Sequence, residues 1–268
     1  MANKRDYSIG KIIFRSITAI IFIFLLLPTL IIVLSAFSPT EYATFPPQGF
    51  SLRWFTAVFT DQAWVLAIEN SLKIAVVTIP IATIIGTLAA YGIYASNFHW
   101  KSGLQAFVLS PIMLPAIILG ISFLYLATAF GLLGSYTIIA AGHIIVAIPY
   151  VFRSVTNVLV GLNKDIQRAS MILGATPFKT FLKVVMPNII SGVFLGAVFA
   201  GITSLGEVSI SLLVSSSQTV TIPVQTMNYI DQTFDPSVNA VAVIFIIIAI
   251  VLITILEKVA EKNKIDVF

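Results

Sequence analysis

Six stretches of this chain are long and apolar enough to cross a bilayer as helices: Ile17–Leu34, Leu72–Tyr94, Leu104–Ala129, Thr137–Phe152, Ile189–Leu205 and Val238–Leu256. Each approaches the roughly 20 apolar residues that a span needs, and a helix satisfies its own backbone polar groups away from water. Pro111 and Pro115 predict a kink or split in the third span, and the fourth is short and ends near Pro149. The first run is too long for the core of a signal peptide, and LSAFSPTEY after it offers no A-x-A site. It is expected to stay.

Between the fourth and fifth spans the pattern changes. In RASMILGATPFKTFLKVVMP, Arg168–Pro187, apolar residues recur at helical spacing and a glycine interrupts them. Ile166, Ala169, Ser170 and Leu173 share one face. Gly174 accepts the left-handed conformation that stops a helix, and Thr176-Pro177 restarts one with a capping hydroxyl and a first-turn proline. Phe178, Phe181, Leu182 and Val185 form a second stripe with Lys179 and Lys183 facing away, and Pro187 is expected to end or bend it. Two readings fit this elbow: an interfacial helix dipping into lipid, or a helix that docks in a partner's groove.

Composition settles the class. Of 268 residues 58% are hydrophobic and 10% charged, where a soluble domain carries about 25% charge. The fold class is therefore all-α integral membrane, with six transmembrane helices in a single domain, 1–268. A tail at 1–16 and the loop at about 157–187 lie outside the bilayer. The chain has no cysteine, which excludes disulfides and thiolate chemistry. The net charge of +4 does not read as nucleic-acid binding. It matters by placement: with the N-terminus cytoplasmic, 13 Lys and Arg fall inside and only Arg53 and Lys73 outside. Both termini and the elbow are then cytoplasmic. The outer loop 35–71, with FPPQGFSLRWF, carries Trp54, Phe55 and Trp64 suited to a membrane interface.

The elbow resembles the cytoplasmic loop motif of bacterial ABC importer permeases, E-A-A-x3-G-x9-I-x-L-P, at Arg168, Ala169, Ser170, Gly174, Val184, Met186 and Pro187. FSPTEY, PPQGFSLRWF, ENSLKIAVVT, SPIMLP, TIPVQTM and DPSVNAVAV extend the resemblance to the spermidine/putrescine (PotC-type) permease group. Two positions depart from the motif: its leading acid is Arg168, a charge reversal, and its second alanine is Ser170. The resemblance implies the type I importer permease architecture, multi-pass in a bacterial inner membrane. Arg168, Ala169, Ser170, Gly174, Ala175, Pro177, Phe178, Phe181, Leu182 and Pro187 would make up the ATPase-coupling helix. It further implies two ABC ATPase subunits, a second and paralogous permease, an extracytoplasmic binding protein, and a polyamine substrate. Iron, phosphonate and organic acids are the alternatives.

The chain has no G-x4-G-K-[ST] phosphate loop, so ATP and its Mg would belong to the partner ATPase, with no cofactor or metal bound here. Gly196 and Gly201, with Gly192, read as close-packing positions. His99 and His143 lie in separate segments without HExxH or a serine elbow, so no catalytic residue is assigned. A self-contained carrier would need coupling acids in several spans, and an intramembrane enzyme a nucleophile–base pair. Neither is visible.

Candidates for the substrate path are Glu207, Ser204, His143 and Tyr150. On a continuous helix Glu207 would sit about 28 Å beyond Asn188, a solvated acid near the outer rim. A break at Gly206 would instead return it to mid-depth, where a carboxylate suits an ammonium group. His143 is expected to make an interhelical hydrogen bond, and Glu69 and Lys73 an i,i+4 ion pair.

Overall fold

The computed structural model describes residues 4–42, 45–96, 98–232 and 235–262, and every regular element among them is a helix. In chain order these are α1 (Lys4–Ser35), α2 (Arg53–Thr60), α3 (Gln62–Ala95), α4 (Lys101–Met113), α5 (Ala116–Ala129), α6 (Tyr136–Val160), α7 (Lys164–Ile172), α8 (Pro177–Thr180), α9 (Met186–Leu205), α10 (Ser209–Val214), α11 (Ile222–Gln232) and α12 (Ser237–Lys262). Four helices can each cross a membrane by length and composition: Gly10–Ser35, Gln62–Ala95, Tyr136–Val160 and Pro177–Leu205. The bent pair α4–α5 makes a fifth, and α12 adds a shorter apolar stretch, Ser237–Val251. That inventory is compatible with six spans.

One compact unit comprises Met1–Asp61 and Asn228–Ile248. Its α1 buries none of its most apolar stretch, and a helix that is apolar all round belongs in lipid. Beyond α1, Phe37 stacks on Phe50 with ring centroids 4.9 Å apart and meets Phe55 at 5.1 Å. Trp54 Nε1 donates to the Ser38 carbonyl at 2.9 Å, and the Arg53 guanidinium lies 4.5 Å above the Trp54 ring. Trp54 is thus buried rather than presented at an interface, because its own loop folds over it.

The other unit is Gln62–Met227 with Ala249–Phe268. Here α3, α6 and α9 pack against one another. Their shared core contains Ala82 and Ile93, Val151, Phe152, Val155 and Leu159, and Ile189 and Ala200. Lipid is as apolar as leucine, so close van der Waals fit holds such helices together. The fit is tight at Gly196, where an added Cβ would stand 3.0 Å from both Cα and Cγ1 of Val151. This supports the packing reading of the glycines. Trp64, 1% exposed in the first turn of α3, is also an interior residue and not an interfacial one.

The prolines behave differently from one another. Pro115 breaks the chain: Leu114 is extended, Pro115 has ψ 128, and α4 meets α5 at 96°. A residue before proline avoids helical angles. Pro111 does not break α4, although it deprives the Phe107 carbonyl of its amide partner. Ser110 Oγ donates to that carbonyl at 2.8 Å instead. Pro149 corrects the expected end of the fourth span: α6 runs through it to Val160, with the proline buried among neighbouring helices that support the turn.

Pro187 also fails to end its helix, and the fifth span starts well before Ile189. Pro177–Leu205 is continuous, with a π turn over Phe181–Val185 in which Met186 N–H donates to the Phe181 carbonyl five residues back. The widened turn ends immediately before the proline, whose ring in a regular α-helix would collide with the carbonyl four residues back.

Candidate functional site

The elbow folds as the capping signals require. Asn163 caps α7 by accepting from Asp165 N at 2.8 Å, and Thr176 caps α8 by accepting from Lys179 N at 3.3 Å. Gly174 has φ +89, its N–H donates to Met171 O, and Ala175 N–H donates to Ser170 O. That pair of bonds closes the end of α7 around a left-handed residue, which costs any residue with a Cβ about 1–2 kcal/mol. Ser170 Oγ lies 3.1 Å from Thr180 Oγ1, tying α7 to α8. The serine in place of the motif's alanine thus has a specific partner.

The second predicted stripe is divided between inside and outside, and the first, apart from a half-buried Ser170, faces out. Phe181 and Val185 are buried, with Phe181 4.5 Å from the Tyr91 ring, whereas Phe178 and Leu182 are exposed. On α7 the buried residue is Gln167, while Ile166, Ala169 and Leu173 face out. Ile172 and Leu173 at the tip are 84% and 87% exposed, and Phe178 is 69% exposed. Arg168, at the position of the motif's acid, approaches Asp165 at 3.4 Å in an exposed i,i+3 pair. Pairs of that kind are worth little, so the guanidinium remains available.

A second polar constellation lies inside α6, α9 and α10. Chain α9 ends at Leu205, Gly206 turns it, and the Glu207 carboxylate receives Ile210 N at 2.9 Å and Ser211 N at 3.0 Å. Ser211 Oγ donates to Glu207 Oε2 at 3.2 Å, and His143 Nε2 lies 2.9 Å from Ser211 Oγ and 3.5 Å from Glu207 Oε2. His143 Nδ1 lies 2.9 Å from Ser204 Oγ. One proton arrangement satisfies all of these bonds: Ser204 O–H donates to Nδ1, Nε2–H donates to Ser211 Oγ, and Ser211 O–H donates to Glu207. The structure therefore brings together His143, Ser204 and Glu207, and His143 makes the expected interhelical bond. Ser211, missed in the sequence, completes the chain. Its place one helical turn beyond Glu207 was the available signal.

Of the two alternatives for Glu207, the break at Gly206 is present, and the continuous helix that would carry the acid to the outer rim is not. Glu207 is not a solvated rim acid, because it is buried, and its oxygens already accept from a short helix. The serine–histidine pair absent from the sequence pattern is present in space. All four side chains are buried and the described cavities are lined by other residues, so the arrangement holds α10 against α6 and α9.

Tyr150 stands apart from that cluster. It lines a groove of about 640 Å³ between α6 and α9, with Arg153, Ser154, Asn157, Asn188 and Ser191 supplying the polar groups and Phe199 beside it. Arg153 is the one charged side chain on this groove among the described residues. A further structural asparagine, Asn70, holds the loop after α10 through Gln218 O at 3.0 Å and Val220 O at 2.9 Å. Glu69 and Lys73 form the expected pair at 3.4 Å. Among the described residues no cluster of His, Cys, Asp or Glu could hold a metal ion.

The family described as "Binding-protein-dependent transport system inner membrane component" is matched over residues 82–263, most of the chain. The chain belongs to that family. As one of its members it is a multi-pass permease component of an inner-membrane import system, and the elbow lies within the matched region. It is similar to the spermidine/putrescine transport system permease protein PotC of Haemophilus influenzae, 26% identical over 91% of this chain and 95% of the relative. The putrescine transport system permease protein PotI of Escherichia coli strain K12 is 30% identical over 84% of this chain and 82% of the relative. In fold the chain is similar to a bacterial ABC transporter involved in the import of the acidic polysaccharide alginate, with a TM-score of 0.74 at 15% identity. That likeness covers 96% of this chain and 98% of the other.

Proposed function

We propose that this permease is the membrane subunit of an ATP-driven polyamine importer, powered through its elbow by a separate ABC ATPase. The single observation that carries the docking reading is the exposure of Ile172, Leu173 and Phe178 on an elbow whose other face is anchored in the core. Two ATPases would engage two permeases, this chain and a paralogue, and a binding protein on the opposite side would deliver the solute. Both termini and the elbow face the cytoplasm in this reading, as the placement of Lys and Arg favours. ATP and Mg belong to the ATPase, since this chain carries no phosphate loop.

Within the chain, the solute path follows the groove beside Tyr150, whose ring can face a cation. His143, Ser204 and Glu207 act behind that path by fixing the α9–α10 turn. The polyamine assignment is supported by the permeases PotC and PotI, which are named for spermidine and putrescine. A second reading, an anionic solute, is favoured by Arg153 as the groove's charge.

The test is uptake by proteoliposomes containing the assembled importer and its binding protein. ATP-dependent accumulation of labelled spermidine or putrescine is expected. Accumulation of organic acids or phosphonates in its place would replace the substrate class, and uptake driven by an ion gradient without the ATPase would overturn the importer mechanism.

A further inference from the structure

The span formed by α4 and α5 breaks within the membrane, and the break is uncovered. From Lys101, on the cytoplasmic side by charge placement, α4 rises about 18 Å to Met113. That lies well inside a hydrocarbon layer of roughly 30 Å. There the two helices meet at 96°. Met113 is 79% exposed, and Leu114, Pro115, Ala116 and Ile117 are exposed beside it. Among the described residues no hydrogen bond reaches the carbonyl oxygens of Pro111, Ile112, Met113 or Leu114, and the amides of Ala116 and Ile117 donate to none. Pro115 has no N–H, and its carbonyl accepts from Ile118 and Leu119 at 2.9 and 3.4 Å. Unpaired backbone does not face lipid: at membrane depth it stands only against protein or along a water-filled cavity.

The faces of α5 favour water. Gly120, Phe123 and Ala127 are buried, and a Cβ at Gly120 would stand 2.6 Å from the Ser209 carbonyl oxygen of α10. That face is closed. The opposite face carries hydroxyls: Ile118, Ser122 and Tyr125 follow at helical spacing, all exposed, with Tyr125 at 73%. A hydroxylated stripe running on from unpaired backbone suits water, whereas a packed protein interface would need a partner matched to every free group.

The chemistry of the break favours a cation. Residues 102–152 contain no Asp, Glu, Lys or Arg, so the backbone sets the local charge. The free carbonyls are the last of α4 and carry the negative end of its dipole. Four such oxygens, each with two lone pairs, outnumber the two free amides, and an ammonium group brings three donors and no acceptor. Broken spans use half-helix ends of this kind to hold cations. The Tyr125 ring adds a face for a second positive group.

We propose that the open face of α4–α5 lines the water-filled solute path, and that the carbonyls of residues 111–114 hold an ammonium group of the solute. This deepens the importer reading above and rests on it.

The chain contains no cysteine, so single thiols report without background. Met113→Cys, Tyr125→Cys and Phe24→Cys, the last on the lipid-facing α1, are compared in the assembled importer in nanodiscs during ATP turnover. Cationic and anionic methanethiosulfonates are the probes, with labelling read on this chain by mass and rates normalised to those of 2-mercaptoethanol. Met113→Cys and Tyr125→Cys are expected to react about tenfold or more faster than Phe24→Cys, because only a wetted thiol ionises. At Met113→Cys the cationic reagent is expected to be preferred, and ethylammonium to slow it more than sodium at equal ionic strength. A Met113→Cys rate as low as that of Phe24→Cys would overturn the path lining, and equal rates for both reagents without ethylammonium protection would overturn the ammonium site. Met113 is exposed, so its replacement removes little packing; Tyr125→Cys reports the lining independently. Spermidine uptake beside an unreactive break strikes this site alone, and organic-acid uptake with the labelling pattern intact strikes the polyamine reading alone.

Discussion

Glu207 brings a negative charge to a point where two backbone amides and a hydroxyl from one short helix converge on it. A carboxylate in an apolar interior survives only with such donors. Removing it in Glu207→Ala leaves the amides of Ile210 and Ser211 unpaired and breaks the chain of bonds to His143. The expected loss of stability is about 1–3 kcal/mol, read as a lower unfolding midpoint of the purified permease. A midpoint equal to that of the parent would show that the network holds nothing. His143, Ser204 and Glu207 were each legible in the sequence as polar residues in apolar runs. Their meeting was not, because it depends on the turn at Gly206 that brings Ser211 back towards α6. Gln167 was hidden for a different reason: a glutamine in a polar loop draws no notice until its nitrogen is found buried without a partner.

At the scale of helices, the fate of each proline depends on where the deprived carbonyl can turn. The break at Pro115 was legible because Leu114 must also leave the helix. The continuity of α6 through Pro149, and of Pro177–Leu205 through Pro187, was not, since a buried helix and a π turn relieve what local sequence forbids. Helix contact was more readable. Gly192 and Gly196 face α6, and a Cβ at Gly196 would press on the Val151 backbone at 3.0 Å, which no rotamer change relieves. Gly196→Ala is therefore expected to cost about 1–3 kcal/mol by overpacking, measured by denaturant unfolding in detergent. An unchanged midpoint would mean that α6 and α9 are less closely apposed than described.

For the whole molecule, composition alone gave the membrane and the all-helical class, and the family match agrees with both. What composition could not give is which apolar residues remain uncovered once the chain has folded. Half of the second apolar stripe in the elbow is core: Phe181 and Val185 are part of the α3–α6–α9 packing, so deleting the elbow would damage the fold itself. Ile172, Leu173 and Phe178 carry no such duty and form an exposed apolar tip beside Lys179 and Lys183. The most direct test replaces all three with serine and measures how much ABC ATPase co-purifies with the membrane-inserted chain. The account predicts unchanged insertion and unfolding midpoint with ATPase recovery reduced by about tenfold or more, whereas full recovery of a functional ATPase would contradict it.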